Sequence, residues 1–367
     1  SNHRVHHAVN DPYIDKNYGG ILVVWDRMFG TFKHEDEAER CVYGTRGLLG
    51  SWDPLWANAQ VYAGLAHDSW HAHSWADKLR VWVKPPGWRP ADVARRFPKP
   101  AFSMAQMQRY QPPMSRSVQW FALVQFAVLL AGVAVFLWRV DAAPLAHNAI
   151  WFAVLLTAQW SLGAVMQGRI GMLMALMLQS AALATATSAL GLTQWHLLFK
   201  PLTMAIAIIL IATSANNTSA SGQFGPKNRV FMLVALAGSL AGDVFLMLPG
   251  FFIPGLVSFL VAHLFYVALF KGGQHWFPHR GALAATLGVG AAMYAFLWAG
   301  GLPLGLRAPV AAYVLVIALM AAQAIGRATV LRDAPSLLVA LGAGFFMLSD
   351  SLLATNRFVT PLPGSQV

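Results

Sequence analysis

From residue 117 onward, apolar stretches of about 20 residues, the length of a membrane-crossing helix, follow one another almost without pause. They fall near 117–138, 147–167, 170–191, 195–213, 228–248, 251–270, 281–300, 305–326 and 334–354. The junctions are short: Arg139 to His147, the surroundings of Arg169, a Ser/Asn/Gly-rich loop from Ser214 to Lys227, Pro249-Gly250, and Lys271 to Arg280. No soluble domain fits between them. The expected fold is an all-α polytopic membrane protein, with about nine transmembrane helices preceded by a turn-rich segment over residues 1–116.

Composition agrees with that reading. The chain has 367 residues, of which 57% are hydrophobic and only 11% charged, as in a multi-pass membrane protein with a soluble portion. The net charge of +11 is concentrated early, with Lys78, Arg80, Lys84, Arg89, Arg95, Arg96, Lys99, Arg109 and Arg116 in one block. No nucleic-acid motif accompanies this block, so the expected partner is a membrane surface and not a nucleic acid. Cys41 is the single cysteine, which excludes intrachain disulfides and multi-thiolate metal sites. The chain opens Ser-Asn-His, with neither Met nor signal peptide, and is expected to be a piece of a longer protein.

Loop charges set an expected orientation. With the N-terminal segment cytoplasmic, connections on that side carry Arg169, Lys227, Arg229, Lys271, Arg280, Arg327 and Arg332, and the opposite side only Arg139, Lys200, Arg307 and Arg357. This bias follows the positive-inside rule.

Two acids interrupt the apolar spans: Asp243 in LAGDVFLMLPG and Asp350 in GAGFFMLSDSLLA. A carboxylate in the hydrocarbon layer costs roughly 2.5–3.5 kcal/mol on insertion scales, so a partner or a task is implied. Counting spans puts both acids about one turn from the exit ends of helices running the same way. Lys200 and Tyr313 fall near the entry ends of oppositely directed spans, hence at the same level, while His263 and Tyr266 sit closer to the middle of theirs. Ser349 and Asn356 are within reach of an acid. A structural reading of these groups is an acid paired with Lys200, or bonded to Tyr or Ser, holding helices in register.

The spans after residue 193 contain Lys200-Pro201-Leu202, Gly242-Asp243, His263 with Tyr266, Tyr313 with Met320, and Ser349-Asp350-Ser351 with Asn356. Together these resemble the YhhN-like family of membrane lysoplasmalogenases, over about 193–367. The resemblance implies hydrolysis of the vinyl ether bond of a lysoplasmalogen, without a cofactor, giving a fatty aldehyde and a glycerophospho-base. It also implies one more span after PLPGSQV. A vinyl ether is cleaved by protonating its β-carbon, and water then attacks the oxocarbenium ion. Two acids close together in a dry site would supply one protonated and one ionised carboxyl for this chemistry, and Lys200 or Arg307 a phosphate contact. No nucleophile-elbow serine is present. A non-enzymatic lipid-binding or proton-coupled transport bundle is the alternative, although no internal repeat supports it.

At the other end stands His3-x-x-His6-His7, followed by NDPYIDKNYGG and WDRMFGTF. On a helix, positions i, i+3 and i+4 share a face, so three imidazoles can reach one metal. Imidazole suits iron, zinc or copper; a surface cluster is the plain alternative. The run His3 to Phe32 resembles the last histidine box of the fatty acid hydroxylase/sterol desaturase superfamily, closest to its alkylglycerol monooxygenase branch. The resemblance implies a di-iron centre hydroxylating a glyceryl ether lipid, completed by upstream boxes that this chain does not contain. Asp15, Asn17 and Asp26 are polar neighbours that could hold metal ligands in place, with turn and cap chemistry in a Gly-rich loop the favoured reading. His67, His71 and His73 have an i, i+4 spacing that could bind a metal, while the Trp and Ser residues around them suggest an amphipathic surface helix near lipid headgroups. The expected domains are 1–116, hydroxylase-like; 117–192, three linking helices; and 193–367, YhhN-like. Oligomeric state, headgroup, chain length and electron donor do not follow from the residues.

Overall fold

The computed structural model describes residues 2–47, 49–100, 102–104, 110–214 and 225–362. Arg109 of the basic block, most of the Ser/Asn/Gly-rich loop, and the final residues of PLPGSQV lie outside them. The chain divides into two compact units, Ser1–Ser115 with Met166–Gly168, and Arg116–Val165 with Arg169–Val367.

The first unit contains short helices: α1 (Asn2–His6), α2 (Val24–Met28), α3 (Pro54–His71), α4 (Trp75–Val83) and α5 (Ala91–Arg96). Val5, Ala8 and Tyr13 pack with Cys41 into a small core. The loop between α1 and α2 is held by polar side chains. Asn17, in left-handed backbone (φ 56°), accepts from the Lys33 amide at 2.9 Å and donates to the carbonyls of Asn2 and Lys33. Asp26 accepts from Thr31 Oγ1 and from the amides of Tyr18 and Gly19 at 2.7–2.9 Å. Burial works against its charge, yet these bonds hold the carboxyl below the usual carboxylate range.

α3 begins where Asp53 accepts from the amides of Leu55 and Trp56 and Pro54 takes the first helical position. The expected single helix through His67, His71 and His73 is broken instead. α3 ends at His71, the His73 amide donates to the Asp92 carboxylate at 2.8 Å, and α4 starts at Trp75. An external acceptor for His73 replaces the helical bond.

The long elements of the second unit's described residues are all helices: α6 (Arg116–Arg139), α7 (Leu145–Met166), α8 (Met172–Ala189), α9 (Thr193–Thr213), α10 (Pro226–Met247), α11 (Phe252–Lys271), α12 (Arg280–Ala299), α13 (Arg307–Leu331) and α14 (Ala334–Phe358). All nine are long and apolar enough to cross a membrane. The all-α polytopic expectation therefore holds for the described residues. α13 and α14 run past the expected ends at 326 and 354. Their extra turns carry Arg327, which donates to the Phe270 and Gly272 carbonyls, and Arg357, which lies 4.3 Å over the Phe252 ring. Charge ends the hydropathy signal there, but not the helix.

Polar groups in the spans are paired across helices. Gln125 of α6 donates to Gln179 of α8 at 3.0 Å, and Gln179 donates to Ser161 of α7 at 2.8 Å. Further along, α13 is the buried centre. Ile317, Met320, Ala321 and Ala324 pack against Val267 of α11 and Ala343 of α14. Small residues allow α13 to approach several neighbours at once, as membrane helix contacts favour. α10 and α11 approach closely by the same device, through Gly238 and Gly242 one turn apart. A Cβ on Gly238 would lie 3.1 Å from the Ser258 carbonyl, and one on Gly242 only 2.5 Å from the Phe259 ring.

Candidate active site

Close α10–α11 packing sets Gly242, the neighbour of Asp243, against the Phe259 ring, and antiparallel packing of α9 on α10 supplies the acid's partner. Lys200 Nζ lies 3.1 Å from Asp243 Oδ1. Lys200 sits about two turns into α9 and Asp243 about one turn before the end of α10, so the two occupy one level. Pro201 within α9 removes a backbone donor. The same turn is clasped to α8: Ser180 Oγ donates to the Phe199 carbonyl at 3.1 Å, and Thr203 Oγ1 donates to Ser180 Oγ at 2.9 Å.

The second acid is held differently. The Tyr313 hydroxyl of α13 donates to Asp350 Oδ2 of α14, so this carboxyl has a neutral donor where Asp243 has a cation. Asp350 also interacts electrostatically with Asp243 and Lys200, and Asp243 interacts with Tyr313. The two pairs thus form one polar locus within the helices.

His263 closes the locus from α11. It is 1% exposed, with its ring 4.8 Å from Phe346, 5.5 Å from Tyr313 and 6.4 Å from Tyr266 between centroids. Neither ring nitrogen meets a partner in full hydrogen-bond geometry among the described residues, although the Phe259 backbone one turn earlier acts on the ring. An orphaned buried imidazole is costly unless a further molecule satisfies it. Tyr266 stacks along Phe270, lies within hydrogen-bonding reach of Ser239, and feels the Asp243 charge.

Two supporting residues from the sequence lie elsewhere. Ser349 is exposed on α14, facing away from the acid next to it. Asn356 Oδ1 accepts from the Leu362 amide at 2.8 Å, which fastens the segment after α14. Arg307 opens α13 with its guanidinium 4.0 Å over the Trp298 ring and its Nε donating to the Leu302 carbonyl.

Sequence reasoning passed over His196. It stands one turn before Lys200 on α9, is 8% exposed, and interacts electrostatically with Asp243. Its i, i+4 spacing from Lys200 was the available signal, but its burial depends on α8.

In the first unit, the imidazoles of α1 cluster at its surface. His7 Nε2 lies 3.0 Å from His3 Nε2, and the His6 ring is 5.3–6.0 Å from the other two. With metal–nitrogen bonds of about 2.1 Å, nitrogens 3.0 Å apart subtend about 90° at an ion, which suits two adjacent ligands. His6 instead turns Nδ1 toward the Lys16 carbonyl at 3.2 Å. Among the described residues no group of three or more His, Cys, Asp or Glu is arranged to hold an ion. The donors present fit a pair of ligands and not a finished centre. His67 and His71 pack on Phe97, and His71 Nδ1 lies 2.8 Å from the His67 carbonyl, an ordinary helical contact.

Residues 195–367 match the model of the YhhN family. The chain is similar to the alkylglycerol monooxygenase of Xenopus tropicalis, 33% identical over 132 residues, covering 36% of this chain and 29% of that protein. It is also similar to the lysoplasmalogenase of Mycobacterium bovis, 29% identical over 171 residues, covering 45% of this chain and 62% of the other. Human lysoplasmalogenase TMEM86B is 32% identical over 129 residues, covering 35% and 52%. The chain therefore spans under a third of the first relative's length and little more than half of the other two. No solved structure matches it.

Proposed function

We propose, from the premise that residues 195–367 form a YhhN family domain, that the chain acts in ether-lipid metabolism and that this part hydrolyses the vinyl ether of lysoplasmalogens. The observation carrying the proposal is the pair of membrane-embedded carboxyls with unlike partners, Asp243 on Lys200 and Asp350 on Tyr313. An ammonium at 3.1 Å favours the ionised form of Asp243. Asp350 has a neutral hydroxyl against it where Asp243 has a cation, and the proton is therefore assigned to it.

Asp350 is thus the acid and Asp243 the base. Asp350 gives its proton to the β-carbon of the alkenyl chain, and the α-carbon becomes an oxocarbenium ion facing the Asp243 carboxylate. Asp243 takes a proton from water as its oxygen bonds to the α-carbon. The resulting hemiacetal collapses to aldehyde, its hydroxyl proton passing to the departing glycerol oxygen. The proton on Asp243 then restores Asp350, and the net change is addition of one water. His263, with its unpartnered nitrogens, is suited to hold that water, and Tyr313 to fix Asp350. With Lys200 committed to Asp243, Arg307 is the better phosphate contact.

For the first unit, similarity to alkylglycerol monooxygenase supports a role as part of a di-iron lipid hydroxylase, with His3 and His7 as adjacent ligands and His6 joining them on leaving the Lys16 carbonyl. Iron, when bound with donors beyond this chain, supplies the dioxygen activation.

Asp243→Asn and Asp350→Asn should each lower aldehyde release from alkenyl lysolipids in vesicles at least about a hundredfold, the typical value of acid–base catalysis, while the protein stays folded by circular dichroism. Full activity in either variant removes the mechanism. Proton-dependent lipid uptake without aldehyde would select the transport reading instead.

A further inference from the structure

His196 carries an atom that the mechanism leaves unused. Its Nδ1 lies 2.9 Å from the Ala184 carbonyl of α8. A carbonyl oxygen only accepts, so Nδ1 carries the hydrogen. In the neutral ring Nε2 is then an acceptor, and it is buried with no partner among the described residues. The bond to Ala184 fixes the ring, leaving a preorganised acceptor beside the Lys200–Asp243 pair.

We propose that His196 is a specificity-determining residue whose Nε2 accepts a hydrogen bond from the free glycerol hydroxyl of the lipid substrate. The assignment rests on the hydrolase reading and adds to it how the site tells a lysolipid from one substituted at that oxygen. Position and chemistry both fit. That hydroxyl is two carbons from the scissile ether oxygen, and His196 stands one helical turn, about 5.4 Å, from Lys200 toward the end of α9 where a headgroup would remain. Water does not substitute for the hydroxyl equally, since a lipid held elsewhere by its chain and phosphate presents the donor already oriented. Substitution of that oxygen removes the donor and leaves Nε2 unsatisfied, which penalises the wrong substrate beyond the loss of a bond.

The test compares aldehyde release by the intact chain in vesicles from a 1-alkenyl-2-lysoglycerophosphocholine and from its 2-O-methyl counterpart. The wild-type protein should prefer the free hydroxyl by about tenfold or more, the value of one hydrogen bond with its desolvation. His196→Asn retains an amide donor for Ala184 but has no atom at the Nε2 position, and should bring the ratio near one. His196→Gln places an acceptor near that position and should restore most of the preference. Should Asn abolish turnover, calorimetric binding of the same two lipids reads the same ratio. An unchanged preference in His196→Asn, or no preference in the wild type, overturns the role of His196 while aldehyde release leaves the hydrolase standing. No aldehyde from either lipid with wild-type protein overturns both.

Discussion

Gly242 immediately precedes Asp243, and the ring of Phe259 occupies the space where its side chain would be. The missing Cβ lets α11 sit against α10, and one turn after Phe259 the His263 ring lies 5.5 Å from that of Tyr313, the partner of Asp350. Gly242→Ala puts a methyl carbon 2.5 Å from a ring packed against Phe346 and His263, so the ring or the helix must move. The expected cost is about 1–3 kcal/mol, as for other overpacked cores, with a fall in aldehyde release because Asp243 moves with its helix. Gly288→Ala on α12 is the control. A Cβ there meets nothing within 4 Å, and helix propensity favours Ala by about 1 kcal/mol. Thermal unfolding in detergent and aldehyde release would read both variants. A Gly242→Ala protein as stable and active as the control shows that the close approach is dispensable. This contact was only half legible in the chain. Gly238-x-x-x-Gly242 is a recognisable small-residue pattern, but nothing in it names Phe259 as the group that fills the notch.

Among elements, the short helices of the first unit depend on fastenings more than on core. α3 is held to the segment preceding α5 by Arg89, whose Nε and Nη2 donate to Asp68 at 2.6 and 2.8 Å while Nη1 donates to the Phe97 carbonyl. The Arg89 guanidinium holds the Asp68 carboxyl below the usual carboxylate range. With the folded value depressed, this pair contributes its full stability above the unfolded value of about 3.9 and loses it as pH falls through the folded one. Unfolding of the intact protein followed by tryptophan fluorescence should therefore move to lower temperature as pH drops from about 5 to about 3, and Asp68→Asn should flatten that dependence while lowering stability near neutrality. An undiminished slope in Asp68→Asn assigns the acid sensitivity elsewhere. Hydropathy made the long helices readable almost to their ends, since each bears one continuous apolar run. The break between His71 and Trp75 was not readable, because the Asp92 acceptor for His73 comes from a distant segment. Nor could span counting tell which cation or hydroxyl would meet which acid. Lys200, Tyr313, Asp243 and Asp350 were all assigned to one level, and only side-chain packing pairs the first with the third and the second with the fourth.

At the scale of the whole molecule, the parity of the spans makes orientation testable. Nine candidate spans among the described residues predict that the segment before α6 and the segment after α14 lie on opposite faces. The excess of Lys and Arg on alternate connections predicts that the segment before α6 is cytoplasmic. Cys41, the single cysteine of the chain, is a native reporter: it lies in the N-terminal unit and is partly exposed. Burial and a hydrogen bond with Glu35 push its thiol above the usual range. Because the thiolate is the reactive form, labelling with a membrane-impermeant maleimide needs moderately alkaline buffer and long exposure. The expected result is labelling in inside-out vesicles and none in intact cells. A second reporter removes the ambiguity of a merely unreactive thiol: Thr360→Cys, at an exposed position beyond α14, in a Cys41→Ser background. It should label from the outside of intact cells and be protected in inside-out vesicles. Labelling of both positions from the same face would break the nine-span count. Opposite faces with the signs exchanged would keep the count and invert the orientation, leaving Asp243 and Asp350 at one level but opening their site to the cytoplasm.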